Sequence, residues 1–169
     1  LADAAEDLDT ALAIDPADIL ANRTVLRSGG APARARAARR LLAVETDLDR
    51  LAAPAAALAA EGLACLGVLK ATAEAVEGWL AWSASGPCAV RITWDGGTAE
   101  AAVAPDPADP RQVLMGRAGR VRIPWPARTA WLAVEVPGRA SWLEGGFQIR
   151  PVPVRERDPG EPRPLRERP

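Results

Sequence analysis

Histidine is absent from this 169-residue chain, so the side chains to weigh first for chemistry are its 22 carboxylates, two cysteines and six tryptophans. Without an imidazole, a serine or cysteine nucleophile lacks its usual base. Cys65 and Cys88 lie too far apart for a Cys-x-x-Cys unit, and a cysteine pair alone does not complete a tetrahedral zinc shell. They read as buried free thiols, with a disulfide between them as the alternative. Asp106 and Asp109 fall in the loop Pro105–Pro110 and Asp95 in a hairpin turn, where turn propensity alone would put them. A hydrolytic acid needs an apolar wall to raise its pKa, and none adjoins these residues. Gly116-Arg117-Ala118-Gly119 leads into a strand, not into the helix N-terminus that would hold a phosphate. No catalytic, cofactor-binding or metal-ligating residue is therefore assigned.

Tryptophan is the better lead. Trp79, Trp82, Trp94, Trp125, Trp131 and Trp142 all fall in the part of the chain that reads as β. An indole combines a broad apolar face with one N–H donor, so on a sheet surface it can stack on a sugar ring. The opposing reading is core, in a chain with one Phe and no Tyr. Trp79 and Trp94 are expected inside. Trp125 and Trp142, beside proline and glycine loops, are candidates for ligand stacking. Trp131 joins them, because alternation across Thr129–Val136 sets it opposite Ala130, Leu132, Val134 and Val136 and turns it outward.

Two kinds of element must position these groups. Residues 1–62 carry helical periodicity. The first helix, over 1–14, ends at Asp15-Pro16, where proline removes an amide donor. Ala4-x3-Leu8-x2-Ala11-x4-Pro16 resembles the second-helix half of a tetratricopeptide repeat, without the family's aromatic at Leu8. Asp18 caps a second helix, Ile19 to about Ser28, stopped by Gly29-Gly30. Pro32 suits the first turn of a third, reaching about Val44, with Arg34, Arg36, Arg39 and Arg40 on its outer side. Thr46-x-x-Asp49 resembles a capping box opening a fourth, which Pro54 is expected to break or restart and Gly62 to end.

From Leu63 the period changes to two. Strands are expected near Leu63–Leu69, at Val76–Trp82, at Cys88–Trp94 and, after the hairpin Asp95-Gly96-Gly97, at Thr98–Ala104. Others follow at Arg120–Ile123, Thr129–Val136 and Phe147–Val152. Short strands separated by turn residues argue for a sandwich. The tail 155–169 is rich in Pro and charge and reads as a disordered linker. The fold class is thus α+β: N-terminal helical hairpins over 1–62, an antiparallel β-sandwich over 63–154, and the linker.

A net charge of −1 argues against a nucleic-acid partner. The charge is uneven, however. Asp3, Glu6, Asp7, Asp9, Asp15 and Asp18 precede the first basic residue, Arg23. Such blocks are solvated helix faces or docking surfaces. No apolar run reaches membrane-spanning length, and the acidic N-terminus is not a signal peptide. A cytoplasmic location and a place within a longer chain are the expectation.

Ala11-Leu12-x-Ile14-Asp15-Pro16, Ile19-Leu20-Ala21-Asn22-Arg23, Val76-Glu77-Gly78-Trp79-x-Ala81-Trp82 and Trp94-Asp95-Gly96 together resemble a known bacterial arrangement. The chain is similar to the accessory region preceding the catalytic domain in large family-2 glycosyltransferase-like proteins. That resemblance implies degenerate tetratricopeptide helices, then a Gly-Trp β-domain, then a Pro/Arg linker into a nucleotide-sugar domain. It places catalysis in the parent chain and on no residue here. The implied function is a scaffold that positions a catalytic domain or protein partner. A carbohydrate-binding module using Trp125, Trp131 or Trp142 is the first alternative, and a purely structural assembly piece the second.

Overall fold

The computed structural model describes residues 2–151, without the side chains of residues 2–6 and 9. The expected linker over 155–169 and the strand end at Val152 lie outside the described residues. Four helices come first: α1 (Ala2–Ile14), α2 (Ile19–Ser28), α3 (Ala31–Val44) and α4 (Leu48–Ala60). Asp18 caps α2 as its sequence implies, accepting from the Ala21 amide at 2.7 Å. The cap of α4 is Asp47 rather than Thr46. Its carboxylate accepts from the Asp49 amide at 3.1 Å, while Glu45 takes the amides of Thr46 and Asp47.

The expected break at Pro54 does not occur, since α4 runs through it. A proline inside a helix forfeits one backbone hydrogen bond, at a cost of about 3 kcal/mol. Here Pro54 is fully buried beside the core positions Leu51, Ala55 and Leu58, and packing offsets the loss.

The strands are β1 (Cys65–Ala71), β2 (Ala75–Trp82), β3 (Cys88–Trp94) and β4 (Gly97–Val103). After a short helix α5 (Gln112–Met115) come β5 (Arg117–Pro124), β6 (Trp131–Glu135), β7 (Ser141–Glu144) and β8 (Phe147–Ile149). They form two four-stranded sheets, ordered β5-β2-β1-β7 and β4-β3-β6-β8. Asp95-Gly96 makes the β3–β4 hairpin, with Trp94 opposite Gly97. One pairing corrects the antiparallel expectation: β7 runs parallel to β1, Cys65 opposite Ser141. The chain crosses from β6 in one sheet to β7 in the other, so no hairpin dictates its direction.

Alternation along β1 explains the layers. Cys65 and Leu69 face the second sheet and meet Cys88, Val90, Leu132 and Val134 in one core. Leu66 points the other way, into a second core with Leu42, Leu51, Ala55 and Leu58 of the helices. A strand buried on both faces reads as a continuous apolar run, which is why Cys65–Leu69 shows no polar beat. The helices therefore cover the outer face of the first sheet, and the outer face of the second bears charged and exposed side chains. No helix among the described residues is long and apolar enough to cross a membrane.

Gly78 lies mid-strand in β2, paired with Leu69 on one side and Val121 on the other. A Cβ there would collide with the Val68 carbonyl of β1. Relief would require the strands to part, and overpacking of this kind costs about 1–3 kcal/mol. Gly78→Ala is expected near the upper end of that range in urea unfolding. A loss under about 0.5 kcal/mol would mean that the strands yield freely.

Candidate functional site

The three candidate tryptophans do not converge. Trp125 follows β5 and is only 8% exposed, within the core between the sheets. Its indole N–H donates to the Thr72 carbonyl at 2.9 Å, and its amide to Glu74, which ties it to the β1–β2 turn. Flanking prolines suggested an exposed loop, yet this ring closes the core and offers no face to a ligand.

Trp142 sits on β7, on the helix side of the first sheet, partly buried against the second core. It forms one wall of a groove of about 240 Å³, with Pro16 and Ala17 from the α1–α2 turn, Arg39 and Val44 from α3, and Glu144.

Trp131 does turn outward, as alternation predicts, with Leu132 and Val134, the next residues along β6 on the opposite face, both buried. Its ring stacks on Phe147 at 5.8 Å between centroids and 24° between planes. Ile149 stands opposite it in register. Phe147 is 60% and Ile149 69% exposed. The result is an apolar patch at one edge of the second sheet's outer face. Across β6 and β3 that face turns polar, where Arg91 bridges Glu135 at 3.1 Å and Glu100 at 3.4 Å.

Sequence reasoning missed Phe147 and Ile149. Their alternation with Gln148 is a strand signal, but the polar residue is the one turned inward. Gln148 donates to the Leu69 and Gly145 carbonyls across the core edge, at 3.2 and 2.9 Å.

Charged groups gather elsewhere. Asp109 is buried and accepts from the Arg111 amide and guanidinium, both at 2.9 Å. Arg111 in turn lies over the Trp79 ring, 5.6 Å from its centroid, a cation–π contact. This chain of contacts pins the loop before α5 onto the first sheet. Asp109 is thus committed to structure, as turn chemistry suggests.

Between α2, α3 and α4 lies a larger groove of about 560 Å³, lined by Leu26, Leu41, Pro54 and Ala57 and by the charged side chains of Arg23, Arg27, Arg34, Asp49 and Arg50. Arg23 is ion-paired with Glu45, whose carboxyl is held below its usual range by the Asp47 amide and by Arg23.

The thiols of Cys65 and Cys88 meet between the sheets at 4.0 Å, unbonded. Hydrogen bonding to Cys88 and burial push the Cys65 thiol far above its ordinary value. Cys88 is held lower by the bond from Cys65, with help from the Arg139 charge. Thiolate is the reactive form, and neither sulfur reaches solvent. Both cysteines should therefore resist a thiol reagent in the native protein and react together once denaturant is added. Stoichiometric labelling before unfolding would contradict this placement.

Among the described residues no three carboxylate or thiol side chains cluster as a metal site would require. Comparison with protein-family profiles, curated proteins and solved structures returns no match.

Proposed function

We propose that this chain is a non-catalytic scaffold of a larger bacterial glycosyltransferase-like protein, built as tetratricopeptide-type hairpins laid on a β-sandwich. In this reading the module positions a neighbouring domain or protein partner against the outer face of its second sheet. The observation that carries it is the exposed patch of Trp131, Phe147 and Ile149 on that face. Large apolar side chains grouped on a surface mark sites that something covers. The first sheet supports the reading by contrast, because its outer face is already occupied by α3 and α4.

The test is backbone hydrogen exchange over 131–149 in the full-length protein and in this chain alone. Slower exchange in the longer protein, reversed by Phe147→Ser with Ile149→Ser, supports docking. Equal exchange in both overturns it.

A second reading draws on the same patch. An indole stacked on an exposed phenyl ring offers the flat apolar face that sugar rings prefer. Titration with bacterial oligosaccharides should then shift tryptophan emission, and Trp131→Phe should abolish the shift. No change at millimolar sugar removes carbohydrate binding and leaves the docking reading standing.

A further inference from the structure

We propose that Cys65 and Cys88 are a reversible disulfide site, at which a small-molecule disulfide such as oxidised glutathione converts the two thiols into a covalent strap between the sheets. The geometry is already close. Cys65 opens β1 in one sheet and Cys88 opens β3 in the other, and both side chains lie in the core between them. The sulfurs stand 4.0 Å apart. A formed bond measures about 2.05 Å, so about 2 Å of closure separates the dithiol from the disulfide.

The end of the sandwich that holds the thiols is also fastened. The Ala64 amide, one residue before Cys65, donates to the Ala140 carbonyl at 2.8 Å, and the Ser83 amide donates to the Ala64 carbonyl at 3.2 Å. Both links reach connections that pass between the sheets, 83–87 from β2 to β3 and 136–140 from β6 to β7. The strands carrying the two sulfurs are thereby kept within reach of each other. A plain apolar core has no use for a cation here, yet Arg139 lies in the second connection and its charge pulls both thiols toward thiolate, against the burial that opposes it. One of its guanidinium nitrogens is buried with no hydrogen-bond partner among the described residues. Thiolate is the form that attacks a disulfide.

The exchange consumes one small-molecule disulfide. One cysteine, as thiolate, attacks a sulfur of oxidised glutathione, forming a mixed disulfide and expelling one glutathione thiolate. The other cysteine gives up its proton and attacks the cysteine sulfur of that mixed disulfide, expelling the second glutathione. The protons of the two cysteines end on the two glutathiones, and the two electrons the cysteines lose reduce the glutathione disulfide.

Burial sets when this happens. Both side chains are shielded in the folded chain, so exchange in either direction needs the sandwich to open. The chain therefore keeps the redox state in which it folded, dithiol in a reducing compartment and disulfide in an oxidising one. The bond joins residues 23 positions apart and removes freedom from the unfolded chain, which stabilises the fold.

Refolding from urea, with reductant or with mixed oxidised and reduced glutathione, reads this directly. After oxidising refolding, alkylation in denaturant should find no free thiol, the intact mass should be lower by two hydrogens, and digestion should yield a Cys65–Cys88 cross-linked peptide. The thermal midpoint of the oxidised chain should exceed that of the reduced chain by about 5–15 °C. Dithiothreitol should spare the bond in the folded chain and cleave it once urea is added. Cys88→Ala should erase the difference between the two refoldings, and the wild-type measurements decide the matter even where that variant folds poorly. Free thiols after oxidising refolding, glutathione adducts or linked copies in place of the internal bond, a midpoint unchanged or lowered, or equal reduction with and without urea would each overturn the proposal.

Discussion

Trp82→Ala is expected to cost about 3–5 kcal/mol of folding stability, the range for truncating a large buried aromatic. Trp82 has no exposed surface and is among the largest fully buried side chains. It stands at the end of β2 in the core between the sheets, opposite Cys65. Its indole N–H donates to the Gly86 carbonyl at 2.9 Å, which anchors the turn that carries the chain from β2 in one sheet to β3 in the other. Truncation therefore opens a cavity and leaves a partly buried carbonyl without its donor, and the two costs add. Trp82→Phe keeps most of the volume and loses only the hydrogen bond, so it should fall near about 1–2 kcal/mol. Urea unfolding followed by far-UV circular dichroism measures both. An alanine variant within about 1 kcal/mol of wild type would show that the sheets do not pack through this ring.

Leu58→Ala tests the other core. Leu58 is fully buried where α4 meets Leu66 of β1 and Ala81 of β2. Removing three carbons there should cost about 2–5 kcal/mol. The more telling result is which signals move. Trp79 and Trp142 pack against this same core, while α3 and α4 supply much of the helical ellipticity. If helices and sheet share one core, ellipticity at 222 nm and tryptophan emission will be lost together, at the same lowered urea concentration. Coincident probes are the mark of a single cooperative unit. A variant whose ellipticity shifts while its emission midpoint stays put would show two units that fold apart.

The helical half was legible where a single hydrogen bond decides the outcome. Asp18, Gly29 and the Pro32 turn give α2 and α3 their boundaries through donors and acceptors within four residues. Asp95-Gly96 gave the β3–β4 hairpin for the same reason. Pro54 misled because the local rule is right about the lost hydrogen bond and silent about the packing that offsets it. Trp125 misled similarly, since neighbouring prolines predict irregular backbone but not which way a ring points.

The β7 strand around Trp142 escaped notice. At Ser141–Glu144 it is too short to show a period, and its partner is β1, 76 residues earlier, with Cys65 opposite Ser141.

By itself, the order of residues determined the ends of the first three helices, the β3–β4 turn, most strands and the outward face of Trp131, set by φ preferences, capping and period-two alternation. Only the tertiary structure decided that α3 and α4 lie on the first sheet, that β7 runs parallel to β1, and that Trp125 is sealed in. It also brought Phe147 and Ile149 beside Trp131 to make an apolar patch on the second sheet's outer face. The physical reason is reach: caps and turns act over a few residues. Which face of a strand meets water depends on what the rest of the chain lays over it.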